Sequence, residues 1–127
     1  MQKFDTSLYF ITDSTGYGEE EFLSRVEAAL QGGVTILQIR EKNKSTKAYI
    51  ALAEKVHALT KKYNVPLIID DRVDVALAVD AEGVHLGAED MTVAMARKIL
   101  GDEKIIGATA KTVPWAKDAA AQGAGYL

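Results

Sequence analysis

The 127 residues carry a formal charge of −3, with 48% hydrophobic and 26% charged side chains, a balance that folds rather than staying disordered. A pI of about 5.4 with no Lys/Arg cluster excludes a basic footprint for nucleic acid, and the absence of cysteine excludes disulfides and thiolate metal sites. No run approaches the ~18 apolar residues of a membrane span and the start MQKFDTSLYFITD has no secretory pattern, so no membrane partner and a cytoplasmic location are expected.

Short apolar runs alternate with longer amphipathic ones along the chain. Leu8–Thr12 reads as a first strand. Glu20–Gln31 reads as a helix with Phe22, Leu23, Val26, Ala29 and Leu30 on one face, closed by Gly32 and Gly33. Thr35–Arg40 is a second strand. Thr46–Tyr63 is the clearest helix, with Tyr49, Leu52, Ala53, Val56, Leu59 and Tyr63 on one stripe. Pro66 opens a third strand, Leu67–Asp70, and a short helical segment over Val73–Val79 leads to a fourth, Gly83–Leu86. Thr92 caps a helix over Val93–Leu100, Ile105–Ala108 is a fifth strand, a helix covers about Val113–Gln122, and Gly125–Leu127 begins a sixth strand. Continuous Ile/Leu/Val runs suit parallel strands covered on both faces, and each pair is joined by a helix, as parallel neighbours require. The fold class is therefore α/β, built from a degenerate repeat of βα units in a single domain spanning residues 1–127.

Polar residues gather at the C-terminal ends of the strands, the face where ligands bind in parallel α/β folds. These are Gln38, Arg40, Glu41 and Lys42; Asp70, Asp71 and Arg72; His85, Gly87, Glu89 and Asp90; and Thr109 and Lys111. Period-two geometry puts Ile36, Gln38 and Arg40 on one face of the second strand and Leu37 and Ile39 on the other. In a barrel the first set lines the interior, where a Gln and an Arg are costly without partners. An anionic ligand would pair with Arg40 and Lys42, since Arg grips phosphate in a bidentate way. An equally available reading is a rim ion pair of Arg40 with Glu41 or Asp71. Asp71 and Asp90 follow adjacent strands at the same end. Two carboxylates there suit Mg²⁺, which keeps waters and takes one or two protein carboxylates plus substrate phosphates; helix capping or an Asx turn is the alternative. Asp74 and Glu89 read as capping residues. His85, flanked on its face by Gly83 and Gly87, leaves room for a ligand's approach, although a satisfied core histidine is the commoner case. His57 reads as solvated on the polar side of its helix, and Trp115 and Tyr126 as packing residues. The histidines have no zinc spacing, and no P-loop or dinucleotide fingerprint is present.

Several segments together resemble thiamine-phosphate synthase: LYFITD (8–13), GGVTILQIREK (32–42), PLIIDDRVDVALAVDAEGVHLGAED (66–90), ARKILG (96–101) and IIGATA (105–110). The resemblance implies a TIM (βα)₈ barrel, of which this chain supplies about five βα units and the start of strand six. It implies a magnesium-dependent transferase of thiamine biosynthesis, joining a hydroxymethylpyrimidine diphosphate to a thiazole phosphate with release of diphosphate. By the same resemblance the segment Gln38–Lys42, Glu41 included, binds the pyrimidine diphosphate. Gln38 addresses the ring, and Arg40 and Lys42 hold diphosphate oxygens. Asp71 and Asp90 align with Mg²⁺ ligands. Asp70 and Thr109 align with substrate contacts that are usually Asn and Ser, and Ala88 stands where Gln is common. The implied partners are small phosphorylated molecules.

A (βα)₈ barrel typically needs about 200–250 residues, so 127 residues are expected to be the N-terminal portion of one, lacking the thiazole-phosphate loops. Two alternatives remain: a relative of the thiazole tautomerase branch, which the Asp71/Asp90 pair and the Gln-x-Arg-x-Lys segment disfavour, and an inactive partial-barrel binding module. Open sheet edges at the first and sixth strands would favour self-association.

Overall fold

A computed structural model describes residues 2–127. The order is β1 (Tyr9–Ile11), α1 (Glu19–Gln31), β2 (Ile36–Ile39), α2 (Thr46–Lys62), β3 (Leu67–Asp70), α3 (Val73–Val79), β4 (Gly83–Leu86), α4 (Val93–Leu100), β5 (Ile105–Ala108) and α5 (Val113–Ala121). The strands form one parallel sheet in sequential order, β1-β2-β3-β4-β5. That is the winding of a (βα)₈ barrel taken part of the way round.

Local sequence accounts for most of the boundaries. Ser45, Thr92 and Thr112 cap α2, α4 and α5, their hydroxyls accepting from Ala48, Met95 and Trp115 backbone N–H. Three acidic residues, Glu19, Glu20 and Glu21, stand in the first turn of α1, where the helix dipole favours them.

Period-two alternation divides the core. Leu37, Ile39, Leu67, Ile69, Val84, Leu86, Ile106 and Ala108 face the helices and pack with Phe22, Val26, Tyr49, Leu52 and Val56 in the large outer core. Ile36, Ile68 and Ile105 face the concave side, where Phe4, Tyr9 and Tyr126 pack against them. These isoleucines are fully buried, each contributing about 1.5–3 kcal/mol of apolar burial. The alternation also puts Gln38 on the concave side, 3% exposed.

Gly125–Leu127 begins a sixth strand as expected: Tyr126 pairs in parallel with Gly107, held by Gly125 N–H to Ile106 O and Ala108 N–H to Tyr126 O. Two expectations are corrected. His57 is buried rather than solvated. Its Nε2 lies 3.0 Å from the Glu82 carboxylate, which also accepts the Leu67 N–H at 2.7 Å; a carboxylate distant in sequence makes burial of the polar helix position tolerable. Gly83 gives no access for a ligand, because a Cβ there would overlap the Ile105 carbonyl, so the missing side chain serves close packing of β4 on β5.

Candidate functional site

The C-terminal ends of β2, β3 and β4 bring charged groups together. Lys42, just past β2, lies 2.8 Å from Asp70 Oδ2 at the end of β3 and donates to Asp71. Arg40 Nε stands 3.8 Å from the same Asp70 oxygen, so the rim ion pair forms with Asp70 rather than with Glu41 or Asp71. Asp70 Oδ2 is buried and takes no hydrogen bond, the ammonium lying beside it off the hydrogen-bonding direction. Burial raises the Asp70 pKa despite Lys42, and the Asp71 charge adds to the rise. For Lys42, burial works against the charge, but Asp70 and Asp71 outweigh it and raise its pKa.

Asp71 sits in the left-handed region, φ 67°, which Asp tolerates better than most side chains. Its N–H donates to His85 O at 2.8 Å, turning the carboxylate toward Asp90 at the end of β4. Asp90 Oδ2 accepts the Gly87 N–H at 2.7 Å. The two carboxyl groups are close enough to perturb one another's titration. Burial and then Asp71 raise the Asp90 pKa, whereas for Asp71 the opposing burial is outweighed by hydrogen bonds from Asp90 and Lys42, and its pKa is lowered. Such a pair holds a proton between its members or takes a cation in its place. Among the described residues no group of three or more His, Asp or Glu side chains converges on a metal position. Two carboxylates beside an open anion grip fit a divalent ion that completes its shell with water and ligand phosphate.

Beneath this rim, Gln38 Nε2 donates to the Tyr9 hydroxyl at 2.9 Å, and Tyr9 pairs with the Tyr126 hydroxyl. His85 Nδ1 lies 3.0 Å from Tyr126 Oη, and its Nε2 lies 3.0 Å from Thr109 Oγ1. The His85 and Tyr126 rings stack at 5.6 Å. Burial lowers the His85 pKa against the opposing Asp70 and Asp71 charges, and raises the pKa values of Tyr9 and Tyr126 so that both phenols keep their protons.

Gln38, Arg40, Lys42, Asp70, Asp71, Asp90 and Thr109 are thus gathered at one end of the sheet. Glu41 is turned away: its Oε2 accepts from Ser14 at 2.8 Å in the β1–α1 loop. Asp74 pairs with Arg72 at 2.6 Å. Sequence reasoning missed the part played by Tyr49, whose buried hydroxyl lies within hydrogen-bond distance of both Ile39 O and Asp70 O, tying the ends of β2 and β3 together. It also missed Tyr9 and Tyr126 as polar partners. The signal available for Tyr9 is its aromatic ring on a strand's concave face with a hydroxyl that needs a partner.

A family model described as thiamine monophosphate synthase matches residues 8–127. The chain belongs to the thiamine monophosphate synthase family. Within it, the chain is 53% identical over 127 residues to thiamine-phosphate synthase 2 of Streptococcus pneumoniae (strain TIGR4), covering 100% of this chain and 60% of that protein. It is 47% identical to thiamine-phosphate synthase of Lacticaseibacillus paracasei, again over 100% of this chain and 60% of the relative. The thiamine phosphate pyrophosphorylase structure from Pyrococcus furiosus superposes with a TM-score of 0.86 at 42% identity, over 94% of this chain and 57% of that one. The chain spans about 60% of the length of the curated relatives it matches.

Proposed function

We propose that the chain carries the pyrimidine-diphosphate half of a thiamine-phosphate synthase site. The reaction joins 4-amino-2-methyl-5-hydroxymethylpyrimidine diphosphate to a thiazole phosphate, giving thiamine phosphate and diphosphate. Residues 1–127 would then be one part of a single barrel domain, as their coverage of the relatives supports. The observation that carries the reading is the convergence of Arg40 and Lys42 with the Asp71–Asp90 pair one pleat above Gln38.

Arg40 and Lys42 bind the diphosphate oxygens and stabilise the negative charge that grows as the C–O bond breaks and its electron pair leaves with diphosphate. Gln38 orients the pyrimidine ring, and Thr109 contacts it from β5. The methylene cation left behind is captured by the thiazole nitrogen. Positioning and charge stabilisation accelerate such a step without a general base. Asp71 and Asp90 would hold Mg²⁺. When bound, the ion neutralises diphosphate charge as a Lewis acid. Asp70 pairs with both cations at the rim. Both substrates are phosphorylated small molecules, which supports a cytoplasmic reaction. Leu8 and Ile11 are half-exposed at the open edge of β1, which supports self-association there.

Calorimetric titration of the 127-residue chain with the pyrimidine diphosphate and MgCl₂ tests the reading. Binding that weakens at least about tenfold in Arg40→Ala and in Lys42→Ala, as lost charge-assisted hydrogen bonds require, supports it. Binding indifferent to both substitutions overturns it, and a coupled thiamine-phosphate assay then separates turnover from binding.

A further inference from the structure

Three side chains to which the proposed reaction gives no task, Tyr9, Tyr126 and His85, connect two to which it does, Gln38 and Thr109. The polarity of that connection follows from donor and acceptor inventories. A carboxamide nitrogen only donates. Gln38 Nε2 therefore gives a hydrogen to Tyr9 Oη at 2.9 Å, and the half-buried Tyr9 proton, which Gln38 Nε2 cannot accept, is satisfied among the described residues only by donation to Tyr126. Tyr126, accepting there, donates to His85 Nδ1 at 3.0 Å, which must be the bare ring nitrogen. The imidazole proton then sits on Nε2 and is given to Thr109 Oγ1, also 3.0 Å away. Two groups end the chain without protein partners among the described residues: the carbonyl oxygen of Gln38 and the hydroxyl hydrogen of Thr109.

The arrangement is held by packing. Tyr126 lies directly on Gly107, where any Cβ would overlap the phenol ring, and its ring contacts those of Tyr9 and Phe4 edge-on at 5.6 and 6.0 Å. Each bond in such a chain polarises the next, so reversing one reverses all.

We propose that Tyr9, Tyr126 and His85 are positioning residues forming a one-way hydrogen-bond relay, which presents a fixed acceptor at Gln38 Oε1 and a fixed donor at Thr109 Oγ1. The ligand that matches is a heteroaromatic ring with an amino donor facing Gln38 and a ring-nitrogen acceptor facing Thr109. This ligand assignment rests on the pyrimidine reading above; the relay itself does not.

The test has two parts on the full chain. Long-range ¹⁵N–¹H spectra of histidine-labelled protein, with His85 assigned by its loss in His85→Gln, read the tautomer without any ligand. A proton on Nε2 is expected; a proton on Nδ1 reverses the relay and overturns the proposal. Calorimetry then compares the pyrimidine diphosphate with inorganic diphosphate in Tyr126→Phe, which keeps the ring and the fold. A loss of about tenfold in affinity for the pyrimidine compound, with inorganic diphosphate unchanged, is expected. Thr109→Val should show the same selective loss and Thr109→Ser should restore affinity. An equal loss for both ligands, or none, overturns the positioning role. If the unaltered chain binds no pyrimidine compound, the proposed function and the ligand assignment fall together, and the tautomer alone decides the relay.

Discussion

Glu82→Ala removes the acceptor of two buried donors at the N-terminal ends of β3 and β4. The Leu67 N–H, 2.7 Å from Oε1, loses its only side-chain partner, and His57 Nε2, 3.0 Å from Oε2, is left in a side chain 4% exposed. Each orphaned buried group costs about 1–3 kcal/mol, so a loss of about 2–6 kcal/mol is expected. At roughly 4 °C per kcal/mol for a domain of this size, Tm falls by roughly 8–24 °C. Glu82→Gln keeps an acceptor for Leu67 but puts an NH2 donor in place of the oxygen facing His57 and removes the charge, so it should cost about half as much. The charge component has a definite pH signature. Burial works against ionisation of Glu82, but hydrogen bonds from His57 and Leu67 outweigh it and lower its folded pKa below the ordinary 4.5. A depressed carboxylate pKa contributes stability that is fully present above the unfolded value and is lost as pH falls through the folded value. The gap between wild type and Glu82→Gln should therefore be constant from pH 6 upward and close in acid. Urea unfolding followed by circular dichroism across that range measures it. A Glu82→Ala variant within about 0.5 kcal/mol of wild type, or a gap that widens in acid, refutes the account.

Asp71→Asn is the informative change at the carboxylate pair, because Asn also tolerates the left-handed backbone at φ 67°. It should raise the Mg²⁺ concentration needed for diphosphate binding about tenfold or more; an unchanged titration would contradict the ligand assignment. Asp70→Asn removes a buried carboxylate oxygen that takes no hydrogen bond, and should leave pyrimidine-diphosphate binding within a fewfold of wild type. Complete loss of binding would show that the charge itself orients Arg40 and Lys42. Gly107→Ala forces Tyr126 off the sheet and should destabilise by about 1–3 kcal/mol, as overpacking does; wild-type unfolding midpoints would mean that Tyr126 does not occupy that face in solution.

Much of the fold was legible because local chemistry and global winding agree. Short runs such as Leu67–Asp70 and Ile105–Ala108 coincide with the observed strands, and Thr92 caps the helix it was expected to cap. Period two on β2 separated Gln38 from Leu37 and Ile39, and the structure puts them on opposite faces of the sheet. The candidate site was legible for a related reason: in parallel βα units every strand's C-terminal end arrives at the same rim, so Lys42, Asp70, Asp71 and Asp90 meet although they lie far apart along the chain.

Partner choice was not legible. His57 reads as a solvated polar position because nothing near it in sequence announces Glu82, and only the packing of α2 over the starts of β3 and β4 supplies that carboxylate. Tyr126 reads as a packing residue, and only the curvature of the sheet brings its hydroxyl to Tyr9 from the other edge. Sequence by itself determined the elements, their parallel winding and which end of the sheet carries the charged groups, since these follow from periodicity and from neighbours a few residues away. The tertiary structure alone decided which polar groups share a hydrogen bond and with what polarity. That depends on distances of a few tenths of an ångström between residues as far apart as Tyr9 and Tyr126, which no pattern along the chain encodes.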